Sequence, residues 1–255
     1  LKNIMTTTSI PKYVKAYDPW SAALFVDPIV IPIIPFLARL RIHPNWITIL
    51  SFFSGLFSGV LFLLGNWLWA GILFLLTFFL DAMDGKLARF RNLTSDFGAK
   101  LDQFVDYTRK PLCFLGVSIF FYLHGQIVFS ILTIIILCAH VFIHKLYVLL
   151  SIDHCDLEFP EFHRKIIRRI FPRIVALYTF FDEQFIMFGI IPIAVGIINP
   201  ANAGSWFLYG AIVANLLCLL KLLIVLNHKR KGRYDMAHQD WFATKGNLDK
   251  ADNLN

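Results

Sequence analysis

Charge is scarce in this chain. Only 16% of its 255 residues are Asp, Glu, Lys or Arg, while 57% are hydrophobic. Soluble domains carry about a quarter of their residues charged. That shortfall and a mean hydropathy of +0.63 exclude a water-exposed fold and point to an all-α polytopic membrane protein. Cysteine is sparse too. Cys113, Cys138, Cys155 and Cys218 show no paired spacing. This argues against a disulfide framework or thiolate metal site, and for small buried side chains. Residues 1–20 lack the apolar core of a cleavable signal peptide. A folded basic domain is also missing. The net charge of +7 sits in short loops and tails, so no nucleic acid is expected as partner.

What is present is a series of long apolar runs. Six are expected to span a membrane, at about 44–64, 67–90, 96–123, 126–151, 174–198 and 205–226. Each is long enough for a core of roughly 30 Å at about 1.5 Å per residue. Residues 18–41 are apolar but interrupted by Pro19, Pro28, Pro32 and Pro35. Interior prolines remove backbone hydrogen bonds, so this stretch reads as a helix lying along the interface, with a first span as the alternative. The chain then divides into a tail and interfacial helix (1–43), a six-helix catalytic domain (44–226) and a C-terminal tail (227–255). Turns near 65, 125 and 200 carry no Lys or Arg. The other loops and both tails are basic, which places both termini on the cytoplasmic side of the cell's inner membrane. Residues 152–173 alternate basic and apolar residues and read as an interfacial segment.

Against this apolar background stand four carboxylates. Asp81 and Asp84 are three apart, and Asp102 and Asp106 are four apart. Either spacing puts both side chains on one helix face. The two pairs lie near the facing ends of consecutive helices, on the cytoplasmic side, so they can converge. Ionised carboxylates in a bilayer must hold something positive, and oxygen-only ligands suit Mg²⁺ or Mn²⁺. Gly85, Ala88 and Gly98 leave room for a ligand to approach backbone, and Arg89 offers a fork for phosphate. The combination suggests phosphoryl transfer at two metal ions.

The residues Asp81, Asp84, Gly85, Ala88, Arg89, Gly98, Asp102 and Asp106 fit the pattern D-x2-D-G-x2-A-R-x8-G-x3-D-x3-D without departure. The chain therefore resembles the CDP-alcohol phosphatidyltransferase family. The resemblance implies six helices and transfer of a phosphatidyl group from a CDP-linked lipid, such as CDP-diacylglycerol, to a small polar alcohol, releasing CMP. It also implies that Asp81, Asp84, Asp102 and Asp106 hold two divalent ions, with Asp106 doubling as the catalytic base. Gly85, Ala88, Gly98 and Arg89 would accept the nucleotide and its phosphates. Asn45 and Thr48, in a Pro-Asn-x-x-Thr helix start similar to the family's, would face the nucleotide or merely start the helix. Relatives of this kind are often homodimers. Gly55, Ser58 and Gly59 would allow close helix packing, either between subunits or within one.

Other polar residues fall at similar depth. Arg109, Lys110, Lys145, Asp182, Glu183 and Lys221 are either salt bridges between helices or an acceptor pocket. The cations suit a phosphorylated alcohol and the acids an amino alcohol, so the acceptor stays open. His140 and His144 are four apart, but no third nitrogen or sulfur ligand lies nearby. Two other functions remain in view: transfer from CDP-choline or CDP-ethanolamine to diacylglycerol, and cation transport. No polar path continues to the far membrane face, which weighs against transport.

Overall fold

The structure, a computed structural model, describes residues 13–14, 19–149 and 180–230. Among these the secondary structure is entirely helical. Helix α1 covers Ala22–Arg39, its first turn wound as a π-helix over Ala22–Val26. It is followed by α2 (Pro44–Leu63), α3 (Trp67–Phe90), α4 (Asp96–Leu123) and α5 (Ile127–Leu149). Helix α6 is assembled from Phe180–Gln184, a π-wound stretch Phe185–Ile190, and Ile191–Ile198. Helix α7 is Ala203–Arg230. The amphipathic stretch 152–173 and the tail beyond 230 lie outside the described residues.

The four turns from α1 to α5 share one device. The second residue past the helix takes a left-handed conformation, at Arg41 (φ 57°), Gly65 (72°), Asn92 (53°) and Gly125 (72°). The next amide then donates back five residues: Ile42 to Leu37, Asn66 to Leu61, Leu93 to Ala88 and Gln126 to Phe121. This satisfies carbonyls that helix ends otherwise leave open. It also reverses the chain within a few residues; α2 packs on α3, α4 on α5, and α4 also lies against α2.

By length and apolarity five helices can cross a membrane: Ala22–Arg39, Pro44–Leu63, Trp67–Phe90, Ile127–Leu146 and Pro200–Ile224. The protein is an integral membrane protein of helices, but this count differs from six spans preceded by an interfacial helix. Helix α1, expected on the interface, belongs among the five. Its prolines did not break it: Pro28 sits at the start of the α-helical part Asp27–Arg39, just after the π-wound turn, and Pro28 and Pro32 face outward. Val26, Asp27, Val30 and Ile34 form the opposite, buried stripe, and α1 packs on α3. Helix α4, expected as the third span, is excluded from the five by its charges, Asp102, Asp106, Arg109 and Lys110 among them.

In lipid, apolar burial gains little over contact with acyl chains, so packing must hold the helices together. Phe188 of α6 stacks near Phe74 of α3 (ring centroids 4.8 Å) and Phe114 of α4 (5.1 Å), with Phe207 of α7 at 5.6 Å. All four rings are fully buried. Small residues bring α2 and α4 into backbone contact. A Cβ on Gly116 would lie 2.1 Å from the Gly59 carbonyl oxygen, and one on Gly59 3.0 Å from that of Leu112. Ser58 Oγ donates to the Ala70 carbonyl at 2.8 Å. The Gly55, Ser58, Gly59 face is thus used inside one chain. Cys113 and Cys218 are buried as expected, but Cys138 is exposed on α5. Its position on the outer face of an apolar helix costs nothing in lipid.

Candidate active site

The acid cluster is built by the α3–α4 turn. Asn92 ends α3 in the left-handed conformation, and Ser95 starts α4 by accepting the Gly98 amide on its hydroxyl at 3.1 Å. Ser at an N-cap satisfies an otherwise open amide. The reversal sets the two helices antiparallel. One carboxylate oxygen each from Asp81, Asp102 and Asp106 then lies within 4.8 Å of the others. Arg109, one turn past Asp106, closes the inner side. Its guanidinium reaches Asp106 Oδ1 at 2.7 Å and Asp81 Oδ1 at 3.3 Å, over the Phe78 ring at 4.9 Å. Among the described residues, three converging carboxylates meet the Arg109 guanidinium. Three converging carboxylate oxygen donors fit a hard divalent cation.

Asp84 is placed differently. It is buried and takes the Thr48 hydroxyl on Oδ2 at 2.5 Å. It does not join the mutual grouping of the other three. Thr48 is buried as well, so it stands behind Asp84 and orients it instead of facing an open cleft. Asn45 lies beside Gly98: a Cβ there would meet Asn45 Oδ1 at 3.3 Å and Ser95 Oγ at 3.1 Å. A Cβ on Gly85 would meet the Arg89 guanidinium at 3.5 Å, so this glycine keeps space around the arginine. Arg89 Nε donates to the Tyr13 carbonyl at 2.8 Å. Ala88 is half-buried on the same helix end. Tyr13, Arg89, Phe90, Asn92 and Thr94 line an open cleft of about 430 Å³.

The six residues considered for an acceptor pocket are spread over separate contacts. Arg109 belongs to the acid cluster. Asp182 is fully buried and accepts both the amide (3.0 Å) and the hydroxyl (2.5 Å) of Ser21, tying α6 to the start of α1. Lys110 Nζ lies 3.2 Å from His140 Nε2, and His140 Nδ1 lies 3.2 Å from Glu183 Oε1. Lys145 is exposed near the end of α5. The side chain of Lys221 lies outside the described residues. His140 and His144 are not drawn into a common site. Among the described residues, Asp81, Asp102 and Asp106 form the one group of three metal-binding side chains.

Two contacts went unread in the sequence. Lys86, inside the motif, forms a buried ion pair with Asp27 of α1 at 2.8 Å. Arg91 donates to the Ile42 carbonyl at 2.7 Å, bracing the same helix end. A buried lysine demands a counter-charge, and Asp27 was the one acid inside the apolar run 19–38. That pairing was the available signal.

Comparison with known proteins agrees with the motif. A family profile described as CDP-alcohol phosphatidyltransferase matches residues 41–199, more than half of the chain. An archaetidylinositol phosphate synthase of Pyrococcus horikoshii is 39% identical over 83 residues, which is 32% of this chain and 44% of the relative. An uncharacterized protein of Aquifex aeolicus is 36% identical over 96 residues, 37% of this chain and 48% of its own length. The chain thus spans under half the length of these curated relatives. In fold it is similar to a phosphatidylinositol phosphate synthase of Mycobacterium tuberculosis, solved with CDP-DAG bound. The TM-score is 0.55 at 20% identity, covering 76% of this chain and 92% of that one. Motif, helical fold and family match agree: the chain belongs to the CDP-alcohol phosphatidyltransferase family.

Proposed function

We propose that this protein transfers a phosphatidyl-type group from a CDP-linked lipid to the hydroxyl of a small polar alcohol, releasing CMP. The observation that carries this reading is the convergence of Asp81, Asp102 and Asp106 at the end of the α3–α4 hairpin, with Arg109 bound between them. A divalent cation, Mg²⁺ or Mn²⁺, held by Asp81, Asp102 and Asp106 with Asp84 beside them, supplies charge neutralisation for a diphosphate. Phosphoryl transfer depends mainly on such positioning and charge.

The chain's own residues then have distinct tasks. Asp106 is half-exposed, so its carboxylate can meet an incoming hydroxyl and take its proton, while Arg109 holds the side chain in place. Thr48 fixes Asp84 through its hydroxyl. Arg89, at the wall of the cleft, binds phosphate, with Gly85 and Ala88 on the same helix end, and Gly98 and Asn45, which adjoin each other, accept the nucleotide. The site opens to the cytoplasmic face of the cell's inner membrane, in keeping with the basic loops and tails. Because the named relative makes an inositol phosphate lipid, a phosphorylated polyol is the first acceptor to try.

The test is CMP release by purified protein in detergent, with CDP-diacylglycerol and Mg²⁺ or Mn²⁺. Inositol 1-phosphate, glycerol 3-phosphate, inositol, serine and ethanolamine are supplied singly. Release that depends on one of them names the acceptor. No release with any, but release from CDP-choline or CDP-ethanolamine with diacylglycerol, would reassign donor and acceptor within the same chemistry.

A further inference from the structure

Lys110 stands four residues after Asp106 on α4, an acid followed by a base at the spacing that favours an ion pair along a helix. A lysine stem is flexible enough to deliver its ammonium to such a neighbour. A second cation on Asp106, added to the Arg109 guanidinium already 2.7 Å from Oδ1, would compete with a divalent ion for the carboxylate. The structure gives Lys110 another destination. Its Nζ lies 3.2 Å from His140 Nε2 on α5. The opposite ring nitrogen, Nδ1, lies 3.2 Å from Glu183 Oε1 on α6, and Cys218 Sγ on α7 donates to Glu183 Oε2 at 3.2 Å. Four helices each contribute one residue, and His140, Glu183 and Cys218 are buried.

The chemistry gives this chain a direction. An ammonium has only donors, so His140 Nε2 accepts. The imidazole proton then sits on Nδ1, the nitrogen at ion-pair distance from the Glu183 carboxylate. One positive and one negative charge terminate a neutral histidine. A buried carboxylate is costly unless paired, and ionisable groups at membrane depth default to function.

We propose that His140 and Glu183 are positioning residues that draw the ammonium of Lys110 away from the acid cluster, so that Asp106 stays available to a divalent cation. This rests on the metal reading of Asp81, Asp102 and Asp106. Removing the charge of Glu183 releases Lys110 toward Asp106 and weakens metal binding. Removing the lysine as well restores it.

The experiment measures Mn²⁺ binding to the full-length protein in detergent, from the loss of the free-ion signal in electron paramagnetic resonance. Thermal unfolding checks that each variant is folded. Glu183→Gln should bind Mn²⁺ about fivefold to tenfold more weakly than the wild type, as expected for one added charge near the site. Glu183→Gln with Lys110→Gln should return to within about twofold of wild type. A folded Glu183→Gln with wild-type affinity, or a double variant as weak as the single, overturns the proposal and leaves the metal reading standing. Failure of the wild type to bind Mn²⁺ overturns both. If Glu183→Gln does not fold, His140→Leu with and without Lys110→Gln makes the same comparison with the same expected outcomes. A merely structural role would lower unfolding temperature without this rescue of affinity.

Discussion

Two polar clusters flank the motif helix α3, and they are built on opposite plans. On one side Lys86 and Asp27 form a single buried pair, equal in charge and closed to water. On the other, Asp81, Asp102 and Asp106 gather three like charges, half-buried, against the single guanidinium of Arg109. The first arrangement is complete in itself and fastens α1 to α3. The second gathers like charges at half-buried positions, where a divalent cation would be held on the proposed reading. Within one helix, Lys86 and Asp81 are five residues apart, yet one belongs to the frame and the other, on the proposed reading, to the chemistry. Charge balance and access separate these roles better than residue type does.

Breaking each cluster should therefore give different failures. The largest effect is expected for Asp106→Asn, which removes the proton acceptor. CMP release should fall by about 10³-fold or more, by comparison with the 10²–10⁴ typical of general-base loss, while unfolding temperature stays near wild type. Lys86→Met should do the reverse. It removes the Lys86 ammonium from the buried Asp27 carboxylate, at a cost of up to about 3–5 kcal/mol. Thermal unfolding in detergent should show that loss. Replacing both Asp27 and Lys86 with leucine should recover most of it. Thr48→Val is smaller. It removes the hydroxyl that Asp84 accepts, for about 1–3 kcal/mol, and should lower turnover more than stability if Asp84 serves the site. Gly98→Ala is the mildest. Its Cβ meets Ser95 Oγ and Asn45 Oδ1 at 3.1 and 3.3 Å, so a shift of a few tenths of an ångström suffices, and a several-fold rise in the donor Michaelis constant is the expected reading.

The acid end of the hairpin was legible because its geometry is local. Helical spacing fixes the face of each aspartate, and the short turn with Asn92 and Ser95 fixes how the two faces meet. The contacts that escaped the sequence are distant ones. Ser21 and Asp182 are 161 residues apart, and nothing in either neighbourhood announces the other. Asp27 and Lys86 were hidden because the prolines of α1 argued for a broken interfacial helix. The prolines at 28 and 32 face outward, and a helix pressed against α3 on its other face tolerates them. Thr48 was read as facing the nucleotide or starting the helix; its hydroxyl donates to Asp84, a partner 36 residues away that the helix-start pattern does not announce. The charges of α4 show the converse limit. They made the helix fail a test of apolarity while marking the site it carries.

The central claim is that the Asp81, Asp102 and Asp106 cluster performs CMP-releasing transfer. Its most direct test is single-turnover CMP release from CDP-diacylglycerol with Mg²⁺ or Mn²⁺ and the preferred acceptor, wild type beside Asp106→Asn. Both proteins should be matched for unfolding temperature. Release by the wild type and its loss in the variant is the predicted result. Equal release by both would contradict the assignment of the chemistry to this cluster.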